Sequence, residues 1–391
     1  MITEPATDGI VDASVLYLYR ADARLDEVFE ARLVLEELVT QLAPGRVDED
    51  DLARLRELVK GEAAGVAGDY RALHSLLAAI TKNPALELFV DILNTVSLLY
   101  FADPKALTHK TLDDVAHAHS RIAEAVIGGD AGLARHRMRA HLEAEAEFLR
   151  RRRSTRQVLD PTTSIKAPDA SKRAEGVARE MFSGIVAGRL ATGDLIGSEA
   201  ELMERYGVSR AIIREAVRLL EHNNIAAMRR GPGGGLFVLA PSVSAVTDVV
   251  ALYLEHHGIR VASVFELRMG VELALIDRVI DNMDASGEER LRAALEREMA
   301  ASEDFTIAAH DVHAVIASLS GNRVLEFLSV VLIRLSRLHE LGQLSSRSRR
   351  TVGSEVSHAH GAIIEALIAK DRELSRHRMQ RHLEVLSGFF R

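Results

Sequence analysis

The 391-residue sequence contains no cysteine, which excludes disulfides, thiolate zinc sites and a cysteine nucleophile; any metal must be held by imidazole, carboxylate or water. Tryptophan is also absent and aromatic residues make up only 4%, too few for the stacking platforms on which single-stranded nucleic acids lie. Although 47% of residues are apolar, no uninterrupted run approaches the roughly 18 residues of a membrane span. Met1 to Ala13 carries three acidic residues, no basic one and no apolar stretch, so a secretory leader is not expected there and a cytoplasmic protein is. The net charge of -8 argues against indiscriminate coating of nucleic acid, which needs a positive face, and leaves room only for local basic patches.

What the chain does have is an internal repeat. Arg135-His136-Arg137-Met138 with His141-Leu142-Glu143 returns as Arg376-His377-Arg378-Met379 with His382-Leu383-Glu384, an offset of 241 residues. At the same offset His119 and Asp130 match His360 and Asp371. Further upstream His74 and Asn83 match His313 and Asn322, Phe29-Glu30 and Arg32 match Phe265-Glu266 and Arg268, and Tyr17 matches Tyr253. Apolar residues recur at three- and four-residue spacing in both copies, as in Leu25, Val28, Phe29, Leu35 and Leu38, and proline is nearly absent from these stretches. The expectation is two all-helical bundles of about six helices, over 10–150 and 243–391, with a linker at 151–171. The arginine run Arg150 to Arg153 is read as cations at a helix C-terminus, where they complement the macrodipole.

Residues 172–241 break that pattern. A helix from Ala174 to Gly188 is followed by the turn Gly193-Asp194, and Ser198 offers an N-cap to a helix over Glu199 to Tyr206. Gly207-Val208-Ser209 makes a tight turn before a second helix that begins at Arg210, the helix-turn-helix pattern. Its apolar face is Ile213, Ala216, Val217 and Leu220, which leaves Arg210, Arg214 and Arg218 at four-residue intervals on another side, suited to phosphates and guanine edges. Two short strands, Ile225 to Met228 and Leu236 to Leu239, flank a basic, glycine-rich tip and form a wing. By themselves the spaced arginines would read as a solvated helix face; the turn, the preceding helix and the wing make double-stranded DNA the expected partner.

The sequence from Gly188 through Leu190, Gly193-Asp194, Ser198-Glu199 and Leu202 to Gly207-Val208-Ser209-Arg210, Arg214-Glu215-Ala216 and Leu220-Glu221 resembles the N-terminal domain of the GntR family of bacterial regulators. The flanking copies resemble the FCD effector-binding domain of its FadR-type subfamily. The resemblance implies DNA contacts from Ser209, Arg210, Arg214 and the wing at Arg230-Gly231. Gly197 stands where the family usually has proline, and Ala200 where it usually has an arginine that touches phosphate. The order is unusual too, because a sensor copy without a winged helix of its own precedes the usual pair. A homodimer on a two-fold symmetric operator is the expected assembly.

Three histidines recur in each copy, His74, His119 and His141 in the first and His313, His360 and His382 in the second. Three imidazoles on facing helices can share a divalent ion and leave a position open for water or ligand. The FCD resemblance implies these same ligands, with zinc, nickel or manganese as the ion, plus an aspartate one turn before the first histidine. Tyr70 and Ala309 occupy that position, so a weaker site is expected, with His310 near enough to contribute. Arg32 and Arg268, four residues before Glu36 and Glu272, are read either as ion-pair partners of those glutamates or as the groups that hold an effector carboxylate. Asn83 and Asn322 are expected to end helices in a left-handed conformation. The function so implied is a repressor whose operator affinity responds to an organic acid. A metal-dependent hydrolase is the second reading, and it is opposed by the lack of a repeated carboxylate recognisable beside the imidazoles.

Overall fold

A computed structural model describes residues 7–64, 71–98, 100, 109–151, 172–188, 190–301, 305–341 and 346–389. The chain forms two compact units, one of residues 1–22 with 155–246 and one of residues 23–154 with 247–391. The expected linker, 151–171, lies outside the described residues except for Arg151, as do Tyr70 and half of the arginine run, Arg152 and Arg153. Among the described residues no helix is long and apolar enough to cross a membrane.

The larger unit holds two helical bundles built on the same plan. The first contains α2 (Leu25–Leu42), α3 (Glu49–Ala63), α4 (Ala72–Ile80), α5 (Pro84–Leu98), α6 (His109–Ile127) and α7 (Ala131–Arg151), and α1 (Thr7–Arg20) precedes it. In the smaller unit lie α8 (Lys172–Ala187), β1 (Leu195–Gly197), α9 (Glu199–Tyr206), α10 (Arg210–His222), β2 (Ala226–Arg229) and β3 (Gly235–Val238). After α11 (Val243–His256), the second bundle contains α12 (Val261–Asn282), α13 (Ala285–Ala300), α14 (Phe305–Leu319), α15 (Arg323–Leu341), α16 (Ser346–Ile368) and α17 (Arg372–Phe389). In each bundle the long first helix is central. The buried face of α2 carries Val28, Phe29, Leu35 and Val39, and that of α12 carries Val264, Phe265, Val271 and Leu275. These three- and four-residue intervals make the apolar stripe that seats a helix in a core.

The two bundles pair within one chain through equivalent surfaces. Asn83 donates from Nδ2 to the Ser263 carbonyl at 3.0 Å and to Glu266 at 3.3 Å; Asn322 donates to the Glu27 carbonyl at 3.2 Å and to Glu30 at 2.8 Å. Ser263 and Glu266 are the repeat counterparts of Glu27 and Glu30, so each copy gives and receives the same contact, the mark of an isologous interface. Both asparagines are 2% exposed or less. Their Oδ1 atoms accept from the backbone N–H groups of Ala85 and Leu86 and of Val324 and Leu325, so they cap the starts of α5 and α15. That differs from the expected left-handed helix ends: the positive φ falls one residue earlier, on Lys82 (53°) and Gly321 (66°).

The sequence repeat places residues 10–22 with the first bundle, but α1 belongs to the smaller unit. Leu16 and Tyr19 pack against the winged-helix core, and the Arg20 guanidinium donates to the carbonyls of Asn224, at 2.7 Å, and Leu239. The repeat misleads here because it preserves Tyr17 and Tyr253, while the contact-making Tyr19 and Arg20 correspond to Glu255 and His256.

The smaller unit has three strands in the order β1-β3-β2, all antiparallel, where the sequence pattern predicts two. Its core joins Met181 and Phe182 of α8 to Leu202, Ile213, Ala216, Leu220, Leu236 and Val238. Ser198 caps α9 in a capping box with Glu201, and Gly207 ends it at φ 59°, the left-handed geometry that the turn requires.

Candidate functional site

Each bundle gathers its three histidines from three helices into one buried cluster. In the first, His74 on α4, His119 on α6 and His141 on α7 offer ligand nitrogens that all lie within 4.8 Å of one another, and the same holds for His313, His360 and His382 in the second. The Nε2 atoms of His74 and His141 are 3.3 Å apart. In the second copy the three Nε2–Nε2 distances are 3.3, 3.1 and 3.1 Å. A tetrahedral ion with nitrogens at roughly 2.0–2.1 Å sets them about 3.3–3.4 Å apart, so the second cluster fits a shared cation at all three nitrogens and the first matches that spacing between His74 and His141.

In each copy two of the opposite ring nitrogens face carboxylates. His119 Nδ1 lies 2.9 Å from Glu62 on α3, and His360 Nδ1 lies 2.7 Å from Glu298 on α13. His74 Nδ1 is bonded to Glu36 on α2, and His313 Nδ1 is 3.1 Å from Glu272 on α12, though not aligned as a hydrogen bond. A carboxylate accepts from Nδ1–H, which leaves the Nε2 lone pair bare. The Nε2 atoms so bared lie inside each cluster, and the Nε2 of His119 is buried with no hydrogen-bond partner among the described residues. Burial, reinforced by neighbouring imidazole charge, holds His141 and His382 well below the usual imidazole range. His313 is lowered in the same way, by burial first and then by Arg268 and His360. Neutral imidazole is the ligating form.

These glutamates correct the expectation that no carboxylate recurs beside the imidazoles. Glu36 and Glu62 have counterparts in Glu272 and Glu298 at the offset of 236 residues that also relates Arg32 to Arg268. That shared offset was the signal available in the sequence. They stand on the Nδ1 side, away from the point where the Nε2 atoms meet, and so orient rings rather than activate water. His310 is buried but is not part of the second cluster.

The arginines differ between copies. Arg32 Nε donates to Glu36 at 2.7 Å, and its Nη1 donates to Glu145 on α7 at 2.9 Å and reaches Ser97 at 3.5 Å. Arg268 Nε reaches Glu272 at 3.3 Å and its Nη1 donates to Ser336 at 3.1 Å, but the position matching Glu145 is Leu386. Burial pushes the Glu36 carboxyl up, yet Arg32 and His74 outweigh it and hold the group below the usual carboxylate range. For Glu272 burial wins over Arg268 and its proton affinity is raised. A cavity of about 420 Å³ in the first copy is walled by Arg32, His74, His119, His141, Ser97 and Glu145. One of about 400 Å³ in the second is walled in part by His382, Arg378, Arg381 and Leu386.

On the winged helix, α10 buries Ile213, Ala216, Val217 and Leu220 and exposes the side chains of Arg210, Arg214 and Arg218 by 63%, 64% and 76%. Glu199 lies 2.9 Å from Arg214 and 3.6 Å from Arg210, and Glu215 lies 3.3 Å from Arg218. Such exposed pairs are weak and exchange readily for phosphate. Ser209 begins α10 without a side-chain cap bond, so its hydroxyl is uncommitted to the helix end. Arg230 and Gly231 are exposed at the wing tip. Arg229 lies 4.3 Å over the Phe237 ring, and a Cβ on Gly234 would come within 2.4 Å of the Arg229 carbonyl, so glycine is required for the tip to close.

The chain matches two family profiles, the FCD domain over residues 27–144 and 263–385 and the bacterial regulatory proteins of the gntR family over residues 173–238. The uncharacterized HTH-type transcriptional regulator BphR of Paraburkholderia xenovorans is 26% identical over 222 residues, 54% of this chain and 82% of its own. The HTH-type transcriptional repressor NanR of Citrobacter rodentium is 25% identical over 224 residues, 56% of this chain and 85% of its own. Among solved structures, Streptococcus agalactiae GntR is 22% identical with a TM-score of 0.41 and covers 55% of this chain and 99% of its own. Each match thus accounts for only about half of this chain.

Proposed function

Because the chain belongs to the bacterial gntR family of regulatory proteins and carries two FCD segments, we propose that it is a repressor whose operator affinity is set by an organic acid bound in metal-assisted helical cavities. It is a transcription regulator, not an enzyme: the winged helix binds DNA, and the FCD domain takes a small effector. The observation that carries the finer reading is the convergence of three buried imidazoles in each bundle, two of them backed by a carboxylate at Nδ1.

His74, His119 and His141 would hold one divalent ion and His313, His360 and His382 another, as zinc, nickel or manganese. Such an ion supplies a cationic anchor for a carboxylate. The protein's own part is to orient the rings through Glu62 and Glu298 and to keep them neutral by burial. A repressive role is supported by the relative named as a repressor. Operator contacts fall to Ser209, Arg210, Arg214, Arg218, Arg230 and Gly231, which are exposed together on α10, its start and the wing.

Two chains on a two-fold operator would supply two recognition helices. Since the Asn83 and Asn322 faces are used inside one chain, such a homodimer would be joined by other surfaces. Gel retardation of the upstream region by metal-loaded and chelator-treated protein, with and without a panel of organic acids, tests the reading. Acid-dependent release only from metal-loaded protein is expected; release indifferent to metal would refute metal assistance.

A further inference from the structure

The Arg268 guanidinium is 1% exposed, and its Nη2 has no hydrogen-bond partner among the described residues. A buried guanidinium nitrogen left without an acceptor is costly, and native structures seldom keep one without a use. In the first copy the same arginine has a second carboxylate, because Glu145 on α7 accepts from its Nη1 in addition to Glu36 at Nε. The residue at that place on α17 is Leu386, 8% exposed, so the second copy lacks the internal anion. Both arginines stand at the triads: Arg268 acts electrostatically on His313 and His382, and Arg32 shares its cavity with His74, His119 and His141. The first cavity therefore carries its own carboxylate beside the histidines, whereas in the second copy the guanidinium is buried without that counterpart, and Leu386, which lines the second cavity, takes the place that Glu145 fills in the first.

We propose that Arg268 is the acid-reading group of the chain, receiving the carboxylate of an organic acid beside the second triad, whereas the matching place on Arg32 is filled by Glu145. The two sensor copies then differ in ligand class. The second takes a carboxylate, and the first takes a ligand that presents none to Arg32. Guanidinium and carboxylate suit each other because two parallel N–H donors meet two oxygens, and the pairing is strongest where water is excluded. The inference rests on the reading of both bundles as effector sites, and it does not require the metal.

The test is titration calorimetry of the full chain with acetate, in metal-free and zinc-loaded form, with acetamide as the uncharged control. Wild type is expected to bind one acetate per chain and no acetamide. Arg268→Gln should weaken acetate at least tenfold, and so should Leu386→Glu, which installs the internal carboxylate of the first copy. Glu145→Leu should raise the stoichiometry to two, a gain that misfolding cannot imitate. Two acetates in wild type, none at all, or binding that survives both Arg268→Gln and Leu386→Glu would overturn the proposal. Zinc content, measured separately, tells failure of the metal reading from failure of this one: a chain that holds no zinc but binds acetate through Arg268 loses the first and keeps the second.

Discussion

The two helical copies keep the same six-helix frame and the same three imidazoles, yet they differ at the second carboxylate facing the central arginine. The triad, the glutamates at Nδ1 and the paired asparagines recur at matched positions, whereas Glu145 becomes Leu386. The difference has a physical basis. Three Nε2 atoms that must meet at one point tie together three helices, so a change at any of them disturbs the whole cluster. Glu145 meets one guanidinium from a single helix, so exchanging it alters the charge in the cavity and little of the frame. The frame and the imidazoles are thus common to both copies, while the charge beside the arginine is not. A second contrast is one of number, since two bundles serve a single recognition helix, α10.

The largest expected effect sharpens that second contrast. If α10 alone carries operator affinity, Arg210→Ala with Arg214→Ala should remove most specific binding, at about 1–3 kcal/mol for each arginine that reads a base edge. Both bundles should keep their melting behaviour. Fluorescence anisotropy with an operator duplex measures the first, and retardation equal to wild type would break the assignment.

Next in size is the effect of the orienting carboxylates, which the comparison holds to be equivalent in the two copies. Glu62→Ala should weaken zinc at the first triad roughly 10- to 100-fold, and Glu298→Ala should do the same at the second, each leaving the other copy untouched. Competition against a chelating dye reads both sites. An effect confined to one copy would show that the matched geometry has unmatched consequences.

The smallest effect concerns the pairing of the copies. Asn83→Ala and Asn322→Ala should each destabilise the larger unit by about 1 kcal/mol, and by similar amounts, because each loses the same pair of hydrogen bonds across the interface. Urea unfolding gives the values. A large cost at one and none at the other would contradict an isologous interface.

Much of this organisation was legible in the sequence, for reasons that differ by element. The bundles and the triads were readable because the chain states them twice, and a histidine repeated on three separate helices stands out against solvated surface. Ser198, Gly207 and the buried face of α10 follow from local rules of capping and periodicity. The Nδ1 carboxylates were harder to see: Glu62 and His119 are 57 residues apart, and only the packing of α3 on α6 brings them together. β1 escaped because three residues, Leu195 to Gly197, are too few to show alternation. Asn83 and Asn322 were misread because an asparagine beside a left-handed residue and one that adopts that conformation look alike in sequence, and only the structure shows their side chains crossing to the other copy.

If both triads hold a cation, metal stoichiometry shows it copy by copy. Calorimetric titration of metal-free chain with zinc should give two ions per chain for wild type, one for His119→Ala and one for His360→Ala. Unchanged stoichiometry in both variants, or no zinc bound by the wild type, would contradict it and leave the histidine clusters as metal-free polar cores.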